Sequence, residues 1–321
     1  MSFFDYVLLA VVSLYIIYVL LWMLLDCNVR LWWKIYCGTS ISALKGQVVW
    51  ITGASSGIGR ALALQLARSG VHLVVSARRE NLLQQLKQQC VAESKGLLTD
   101  RDVLVLPMDV LKLEDHKNCL DAVLVHFGHI NVLVNNAGRS QRAHWEDIMI
   151  EVDRELFELD VFSALHLSRL VVRYFMEKQN GRGQIACTSS VASLAIVPYS
   201  ASYCGAKHSL NAYFRCLALE NRSVDVTIFN PGPVATEFLR ESFTAVPNEK
   251  VSRDTMDKHR MSTERVGFLY ATALANKIQM SWCGLFPVNL LCYVSRYSLL
   301  TAIMNKLITT QRMQKFRDGE V

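Results

Sequence analysis

The sequence predicts a doubly wound, Rossmann-like α/β fold, a parallel sheet with helices on both faces, preceded by a transmembrane helix. Three observations carry this prediction: an uncharged apolar run near the N-terminus, short β-branched runs that alternate with longer amphipathic stretches, and a glycine-rich turn after the first of those runs. Repeated strand–helix units build parallel sheets, and strands that are apolar throughout are typical of sheets covered on both faces.

The composition excludes several classes of protein. Of the 321 residues, 51% are hydrophobic and 19% are charged, which excludes intrinsic disorder. The net charge is only +6 and no long basic run occurs, so we expect no nucleic-acid partner. The nine cysteines show neither C-x-x-C spacing nor clustering with histidine, so we expect no metal site.

Residues 6–25 form an apolar run without any charge. As a helix this run spans about 30 Å, the thickness of the hydrocarbon core of a bilayer. No small-x-small cleavage site follows it, so we expect residues 1–44 to be an uncleaved membrane anchor with its juxtamembrane segment. Arg30 and Lys34 follow the run and no basic residue precedes it, which favours a cytosolic domain. The sequon Asn221-Arg222-Ser223, usable only in the lumen, keeps that orientation open.

Residues 45–286 read as one domain of alternating strands and helices. The predicted strands are 47–52, 71–76, 103–107, 131–135, 183–189 and 224–230. The predicted helices are 57–70, 79–96, 113–128, 152–178 and 202–221. Residues 287–321 form an apolar and basic C-terminal extension, which lies either in the membrane interface or in a dimer contact.

A glycine-rich turn joins the first predicted strand to the first helix of the domain. Gly53 permits the tight turn, Gly57 lets a pyrophosphate approach the backbone, and Gly59 lets the helix pack close to the strand. The helix N-terminus offers unpaired N–H groups to the phosphates of a dinucleotide. The residues of this turn that we expect to bind the cofactor are Thr52, Gly53, Ser55, Ser56, Gly57, Ile58 and Gly59.

The ends of the next three strands indicate which dinucleotide binds. The second strand is followed by Arg78 and Arg79 rather than by a carboxylate for a ribose 2′-hydroxyl, so NADP(H) is favoured, with Arg78 on the 2′-phosphate. Two solvated arginines at the start of a helix are the alternative. Asp109 and Val110 would contact the adenine through a carboxylate and a backbone N–H. The run expected beside the cofactor after the fourth strand is Asn136, Ala137 and Gly138.

A tyrosine and a lysine four residues apart carry the predicted chemistry. Tyr203 and Lys207 lie on one face of a helix, where the ammonium group would lower the pKa of the phenol toward neutral. A phenol with such a pKa is an effective general acid and base. Ser190, thirteen residues upstream, would donate a hydrogen bond to the substrate oxygen beside Tyr203.

These motifs together resemble the short-chain dehydrogenase/reductase superfamily in its membrane-anchored branch. The matching segments are TGASSGIG, SARR, NNAG, Ser190, YCGAK and the run from Asn230 to Thr236. The resemblance implies an NADP(H)-dependent oxidoreductase of lipophilic carbonyls and alcohols, steroids and retinoids among them, in the endoplasmic reticulum membrane. It makes Tyr203 the proton donor and Lys207 the holder of the nicotinamide ribose, and it leaves a homodimer open. The residues that it places beside the nicotinamide are Pro231, Gly232, Val234 and Thr236.

One catalytic position departs from the family pattern. Asp160 stands where the family has an asparagine that takes part in a proton relay through a water bound near Lys207. Its negative charge would oppose ionisation of Tyr203, unless the carboxyl group is protonated. A membrane-anchored nucleotide- or lipid-binding protein with weak or lost turnover is therefore a second hypothesis. The segment 237–260 reads either as a lid over the site or as solvated surface helices.

Overall fold

A computed structural model describes residues 2–247, 249–250 and 260–297. Its centre is a sheet of seven parallel strands in the order β3-β2-β1-β4-β5-β6-β7. The strands are β1 Val48–Thr52, β2 His72–Ala77, β3 Val103–Pro107, β4 Val132–Asn135, β5 Gly183–Thr188, β6 Val224–Pro231 and β7 Met280–Cys283. The chain crosses over between β3 and β4, so the carboxyl ends of β1 and β4 border a crevice. The predicted doubly wound fold is confirmed.

Ten α-helices lie within the described residues. They are α1 Phe3–Leu24, α2 Val29–Cys37, α3 Gly57–Ala67, α4 Glu80–Glu93, α5 His116–Phe127, α6 Ile150–Phe157, α7 Ser163–Lys178, α8 Ala201–Glu220, α9 Thr263–Ala275 and α10 Val288–Val294. The segment predicted as one helix, 152–178, is interrupted by a π-helical turn, Glu158–Phe162, between α6 and α7. Asp160 lies in this turn. A π-turn inserts a residue into the helical repeat and is frequent at functional sites.

Two hydrophobic layers enclose the sheet, as the alternation of side chains along β1 shows. Val49 and Ile51 pack with helices α3 and α9 on one face. Val48 and Trp50 pack with helices α7 and α8 on the other. All four side chains are fully buried. Because successive side chains of a strand point to opposite faces, a strand buried on both sides is apolar throughout.

Helix α1 is long and apolar enough to cross a membrane, and it is the one such helix in the part of the chain that the structure describes. Its side chains are largely exposed except for Trp22, near its C-terminal end. There the Trp22 ring stacks on Tyr293 of α10 with centroids 4.3 Å apart. The Asn289 side-chain amide donates hydrogen bonds to the carbonyl oxygens of Trp22 at 3.0 Å and Leu25 at 2.8 Å. The apolar helix is thus attached to the domain through α10.

The short segment after α1 joins the main domain. Residues around Cys27 pair with β7 in antiparallel fashion, with Cys27 opposite Cys283. The Asp26 carboxylate accepts two hydrogen bonds from Arg265 of α9, at 2.7 and 3.1 Å. A bidentate arginine–carboxylate pair fixes orientation as well as distance.

Candidate active site

A cavity of about 1210 Å³ opens at the carboxyl ends of the parallel strands. Crevices at this edge of an open α/β sheet are where ligands of such folds bind. The predicted site residues that line the cavity are Gly53, Ser55, Ser56, Gly57, Ile58, Arg78, Asp109, Val110, Asn136, Ala137, Gly138, Ser190, Tyr203, Lys207, Pro231, Gly232, Val234 and Thr236. The remaining three, Thr52, Gly59 and Asp160, lie immediately behind this wall and contact residues that form it.

The glycine-rich turn leaves space where side chains would close it. Gly53 has φ +66°, and a Cβ atom there would lie 2.8 Å from Cα of Ala137. A Cβ atom at Gly59 would lie 2.5 Å from Nδ2 of Asn136 and 2.6 Å from the carbonyl oxygen of Gly53. Gly57 has φ +57° and faces the cavity, with only Thr236 within van der Waals reach. The turn therefore offers a bare backbone cradle at the N-terminus of α3, which fits a pyrophosphate.

Asn136 connects three strands beneath this cradle. Its Nδ2 atom donates to the carbonyl oxygens of Thr52 at 3.0 Å and Gly53 at 3.3 Å. Its Oδ1 atom accepts a hydrogen bond from Thr188 of β5 at 3.0 Å. Thr52 in turn accepts from the backbone N–H groups of Asn136 and Ala137, at 3.0 and 3.2 Å. Thr52 and Asn136 thus hold the carboxyl ends of β1, β4 and β5 in fixed relation.

Both arginines after β2 line the cavity, and the second one contacts the glycine-rich turn. The Arg79 guanidinium donates to the hydroxyl groups of Ser55 at 3.1 Å and Ser56 at 3.0 Å. The sequence predicts a cofactor contact for Arg78 alone, and the structure adds Arg79 to this side of the cavity. Two guanidinium groups and two serine hydroxyls at one edge of the cavity suit a phosphate ester.

At the end of β3, the predicted adenine residues belong to a tight turn. The Asp109 Oδ1 atom accepts a hydrogen bond from the backbone N–H of Leu111 at 3.1 Å. The Val110 carbonyl oxygen accepts from Nε2 of the buried His116 at 2.9 Å. Nδ1 of His116 lies 3.1 Å from Nδ1 of His166. Burial lowers the pKa of His116, and the neighbouring His166 adds to this effect.

Tyr203 and Lys207 meet in the cavity as predicted from their spacing, but the expected pKa of the phenol is wrong. The Lys207 Nζ atom lies 5.6 Å from the centroid of the Tyr203 ring. Burial raises the pKa of Tyr203 above its ordinary value, although Lys207 and a hydrogen bond with Ser190 lower it. The ammonium group by itself would lower the pKa, but the loss of solvation and the charge of Asp160 outweigh it.

Asp160 forms a buried ion pair with Lys207. Its Oδ2 atom lies 2.9 Å from Nζ of Lys207, and its Oδ1 atom accepts a hydrogen bond from the backbone N–H of Arg139 at 2.8 Å. Nζ also donates to the carbonyl oxygen of Thr188 at 3.2 Å. The groups that contact the Asp160 oxygens at these distances are donors, which suits a carboxylate.

The pKa values in this pair follow from burial and charge together. Burial raises the pKa of Asp160, and Lys207 opposes this effect. Burial alone would lower the pKa of Lys207, but Asp160 and Tyr203 outweigh it and raise that pKa. The Asp160 charge also adds to the raised pKa of Tyr203. The ammonium form of Lys207 is thus favoured, and the Asp160 carboxylate compensates part of its charge.

Comparison with known proteins identifies the family. The family described as short chain dehydrogenase matches residues 47–247. The chain belongs to this family. Its members are oxidoreductases, and the match covers every strand from β1 to β6 together with the glycine-rich turn and the Tyr203–Lys207 pair.

The relatives of this short-chain dehydrogenase include proteins of similar length. Dehydrogenase/reductase SDR family member 7 from Mus musculus is 34% identical over 299 residues, 92% of this chain and 87% of the relative. The Homo sapiens protein of that name is 35% identical over 281 residues, 86% and 81% of the two chains. The 11-beta-hydroxysteroid dehydrogenase A of Sesamum indicum is 33% identical over 214 residues, 66% of this chain and 59% of that protein.

A solved structure agrees with the fold of the short-chain dehydrogenase domain. The alcohol dehydrogenase from the archaeon Thermococcus sibiricus, complexed with 5-hydroxy-NADP, superposes with a TM-score of 0.65 at 24% identity. The superposition covers 75% of this chain and 97% of that one. At this identity the likeness establishes the architecture alone.

Beneath Ser190, the short-chain dehydrogenase site has a polar network that the sequence motifs did not reveal. The Ser193 hydroxyl oxygen lies 2.5 Å from the carbonyl oxygen of Ser190 and 2.8 Å from Oδ1 of Asn230, so its single proton has two possible acceptors. Asn211 donates to the hydroxyl oxygen of Ser193 at 2.7 Å. The available signal was the spacing of Tyr203, Lys207 and Asn211, which recur every four residues and share one face of α8. The network fixes the turn that presents the Ser190 hydroxyl.

The other end of the cavity has walls from distant parts of the chain. Apolar side chains line it after β5 and from α10: Val191, Ala192, Ala195, Ile196, Val197, Val288, Leu291 and Cys292. Phe238, Glu241 and Phe243 cover it from segment 237–247. The Phe243 N–H donates to the carbonyl oxygen of Ser140 at 2.9 Å, so this segment packs over the site. Positions 248 and 251–259 of the proposed lid lie outside the described residues.

Proposed function

We propose that this short-chain dehydrogenase transfers hydride between NADP(H) and carbonyl or hydroxyl groups of lipophilic substrates. The observation that carries the proposal is the meeting of Ser190, Tyr203 and Lys207 in one cavity with the bare glycine turn and the apolar wall at α10. Steroids and retinoids are the substrate classes that we expect, and the name of the Sesamum indicum relative supports the first.

The preference for the phosphorylated dinucleotide rests on charge. Arg78 and Arg79 line the cavity after β2, and the Arg79 guanidinium is held over the turn by Ser55 and Ser56. No carboxylate stands at the end of β2 to accept from a ribose 2′-hydroxyl. We therefore assign the 2′-phosphate to these two arginines. Asp109 and Val110 would contact the adenine.

Each catalytic side chain has one role in this proposal. When bound, the nicotinamide supplies or accepts the hydride. Tyr203 donates its phenolic proton to the carbonyl oxygen during reduction and takes a proton back during oxidation, and Ser190 donates a hydrogen bond to the same oxygen. These bonds strengthen as negative charge develops on the oxygen, so they stabilise the transition state. Lys207 holds the ribose and keeps positive charge beside the phenol.

One observation favours a second candidate, an anchored nucleotide- or lipid-binding protein with little turnover. Asp160 pairs with Lys207 at 2.9 Å, and the pKa of Tyr203 is raised. A phenol with a raised pKa is a weaker acid, which slows proton donation at neutral pH. The two candidates differ in whether Tyr203 governs a measurable rate.

Replacing Tyr203 with phenylalanine separates the two candidates. The full chain in phospholipid nanodiscs is assayed for NADPH oxidation with a panel of steroid, retinoid and simpler lipophilic carbonyls. For the oxidoreductase, Tyr203→Phe lowers kcat by about 10²–10⁴-fold, the usual contribution of a general acid, and leaves NADPH binding nearly unchanged. Tyr213→Phe, an exposed tyrosine on the same helix, is the matched control. Equal, near-zero rates for the wild type and Tyr203→Phe would favour the binding protein.

Replacing Asp160 with asparagine tests the charge that opposes ionisation of the phenol. Asp160→Asn removes that charge and keeps an oxygen for Lys207, so the pKa of Tyr203 falls. In the oxidation direction the ionised phenol accepts the proton, and the rise of rate with pH therefore moves to lower pH. A pH–rate profile of the variant beside the wild type checks this shift, and coincident profiles would show that Asp160 has no part in the proton transfer.

We also propose where the chain resides and how it is divided. Residues 1–44 anchor it in the endoplasmic reticulum membrane, 45–286 form the catalytic domain, and 287–321 extend it. Of the extension, α10 packs against α1, whereas Lys306, Arg312, Lys315 and Arg317 lie outside the described residues. The charge pattern favours a cytosolic domain, and glycosylation of Asn221 would reverse that orientation.

Exposed apolar side chains on the π-turn and α8 support a homodimer through these helices.

A further inference from the structure

Two cysteines lie directly opposite each other where the juxtamembrane segment pairs with the last strand of the sheet. Cys27 follows the apolar helix α1, and Cys283 ends β7. Both side chains are fully buried. The pair lies outside the described cavity and belongs to none of the roles proposed for the active site.

The backbone hydrogen bonds define the geometry of this pair. Two bonds flank it, from Asn28 N to Trp282 O at 3.0 Å and from Gly284 N to Asp26 O at 2.8 Å. Cys27 and Cys283 are therefore a non-hydrogen-bonded pair of an antiparallel ladder. In such pairs the Cα atoms are about 4.5 Å apart and the side chains leave the ladder on the same face. Disulfides span Cα separations of about 4.4–6.8 Å, so the spacing typical of such a pair falls at the short end of the range that a disulfide bridges.

We propose that Cys27 and Cys283 form a cross-strand disulfide when the chain folds under oxidising conditions, which in a cell are those of the lumen and belong to the orientation that glycosylation of Asn221 would also indicate. The oxidant is a small-molecule or protein disulfide, for example glutathione disulfide. One protein thiolate attacks a sulfur of that disulfide and releases one thiol. The second thiolate then attacks the mixed disulfide, which closes the Cys27–Cys283 bond and releases the other thiol. Two electrons pass to the oxidant, and the protons lost by the cysteines end on the released thiols.

In the folded protein, the dithiol and disulfide states of Cys27 and Cys283 interconvert slowly. Burial raises the pKa of both thiols, with the charge of Asp26 adding to the effect, so little thiolate exists once the ladder has formed. The bond therefore closes during folding, before the ladder excludes the oxidant. After closure, the same burial keeps reductants away. The redox state at the time of folding is thus preserved in the native protein.

The proposed disulfide lies next to a loop that lines the cavity. Cys283 pairs with Pro231 of β6, and its carbonyl oxygen accepts a hydrogen bond from the N–H of Gly232 at 2.7 Å. Gly232 begins the loop that lines the nicotinamide end of the cavity. A disulfide here connects the membrane anchor covalently to the strand beside that loop. It closes a chain loop that contains β1 to β6, and long loops give the largest entropic stabilisation.

The test uses the full chain synthesised into phospholipid nanodiscs in either an oxidised or a reduced glutathione buffer. Free thiols are blocked with N-ethylmaleimide, and the protein is digested with trypsin without reduction. Because one tryptic peptide carries both Cys283 and Cys292, the assignment is made in a Cys292→Ala background. The Cys27→Ala variant removes the proposed bond, and Cys90→Ala is the matched control, since Cys90 is equally buried but lies on α4.

We expect the Cys27–Cys283 crosslinked peptide in the oxidised buffer for the wild type, Cys292→Ala and Cys90→Ala. The oxidised wild type should also melt about 5–10 °C above the reduced protein, a difference that Cys27→Ala abolishes. Alkylated, unlinked Cys27 and Cys283 in a protein with a cooperative melt from the oxidised buffer would overturn the proposal. A Cys283–Cys292 crosslink in the wild type would overturn it too.

Discussion

The two ends of the cavity are built in different ways. At the dinucleotide end, one contiguous turn supplies the bare backbone, and Asn136 and Thr52 fix it through hydrogen bonds between neighbouring strands. At the substrate end, the walls come from the turn after β5, from segment 237–247 and from α10, which lie far apart in the sequence. The first end depends on local geometry, and the second depends on how distant elements pack.

This difference predicts how each end responds to change. A rigid turn has little room to adapt, so an added methyl group there is costly. A wall assembled from distant segments changes when any of its supports is removed, even one outside the cavity. Three substitutions probe this contrast, and a change of pH probes buried His116 and its neighbour His166 beside the dinucleotide end. Their expected effects decrease in that order.

The largest effect is expected from Gly59→Ala in the glycine turn. The new Cβ atom would lie 2.5 Å from Nδ2 of Asn136 and 2.6 Å from the carbonyl oxygen of Gly53, so backbone has to move. We expect a loss of about 3 kcal/mol in unfolding free energy and of dinucleotide binding by at least about 100-fold, measured by urea unfolding and by titration of NADPH fluorescence. Gly205→Ala on α8 is the control, because its Cβ atom would meet nothing closer than 3.8 Å. Equal losses in both variants would contradict the rigid turn.

Next in size is Asn289→Ala at the substrate end. The variant removes the donor for the carbonyl oxygens of Trp22 and Leu25, and it also leaves the indole N–H of Trp282 without its acceptor at 3.0 Å. Buried polar groups left unpaired cost about 1–3 kcal/mol. We expect a lower melting temperature and a higher KM for the carbonyl substrate, with the Kd for NADPH unchanged. A change confined to NADPH binding would show that the two ends are not separable in this way.

Arg79→Ala is expected to act more narrowly, on the choice between the two dinucleotides. Removing a charged hydrogen-bond donor to a phosphate costs about 1.5–3 kcal/mol, or roughly 10–100-fold in affinity. The affinity for NADPH should fall by this factor and that for NADH should not. Arg78→Ala, measured in parallel, shows how much each guanidinium group contributes to the affinity for NADPH. If neither variant changes the NADPH-to-NADH ratio, the assignment of the 2′-phosphate is wrong.

The smallest effect is expected from pH at the His116–His166 pair. The lowered pKa of buried His116 means that the unfolded chain takes up a proton first. The free energy of unfolding should therefore fall as the pH drops below about 6.5, the ordinary pKa of histidine. Asp115 and Glu114 nearby oppose the lowering without cancelling it. Urea unfolding at about pH 8 and about pH 5.5 measures this loss, and His116→Gln should flatten it.

The dinucleotide end and the fold could be largely predicted from the sequence, because their signals are local. The β-branched runs predicted six of the strands, and Gly53, Gly57 and Gly59 occur where only glycine suits the backbone. The spacing of Tyr203 and Lys207 placed both on one helix face. Strand β7 was missed because its four residues, MSWC, include no β-branched residue, which was the signal that predicted the other six strands.

Properties that depend on several distant parts of the fold at once could not be predicted from the sequence. The pKa of Tyr203 depends on burial, Lys207, Ser190 and Asp160 together, and burial depends on the whole fold. The contact of Arg79 with Ser55 and Ser56 depends on the side-chain direction at the end of β2. The substrate wall depends on α10, whose sequence alone says nothing of its packing against α1.

The aromatic and amide contacts between α10 and α1 make the apolar helix part of the enzyme's architecture as well as its tether. A soluble version that began after Leu25 would lack the Trp22 ring that stacks on Tyr293, and the Asn289 amide would lose the carbonyl oxygens of Trp22 and Leu25. Val288, Leu291 and Cys292, on the same short helix, form one side of the cavity. Catalytic constants measured on such a shortened protein would therefore describe a cavity whose α10 wall has lost its contacts with α1. Comparison with the full chain in lipid would measure how much these contacts contribute to catalysis.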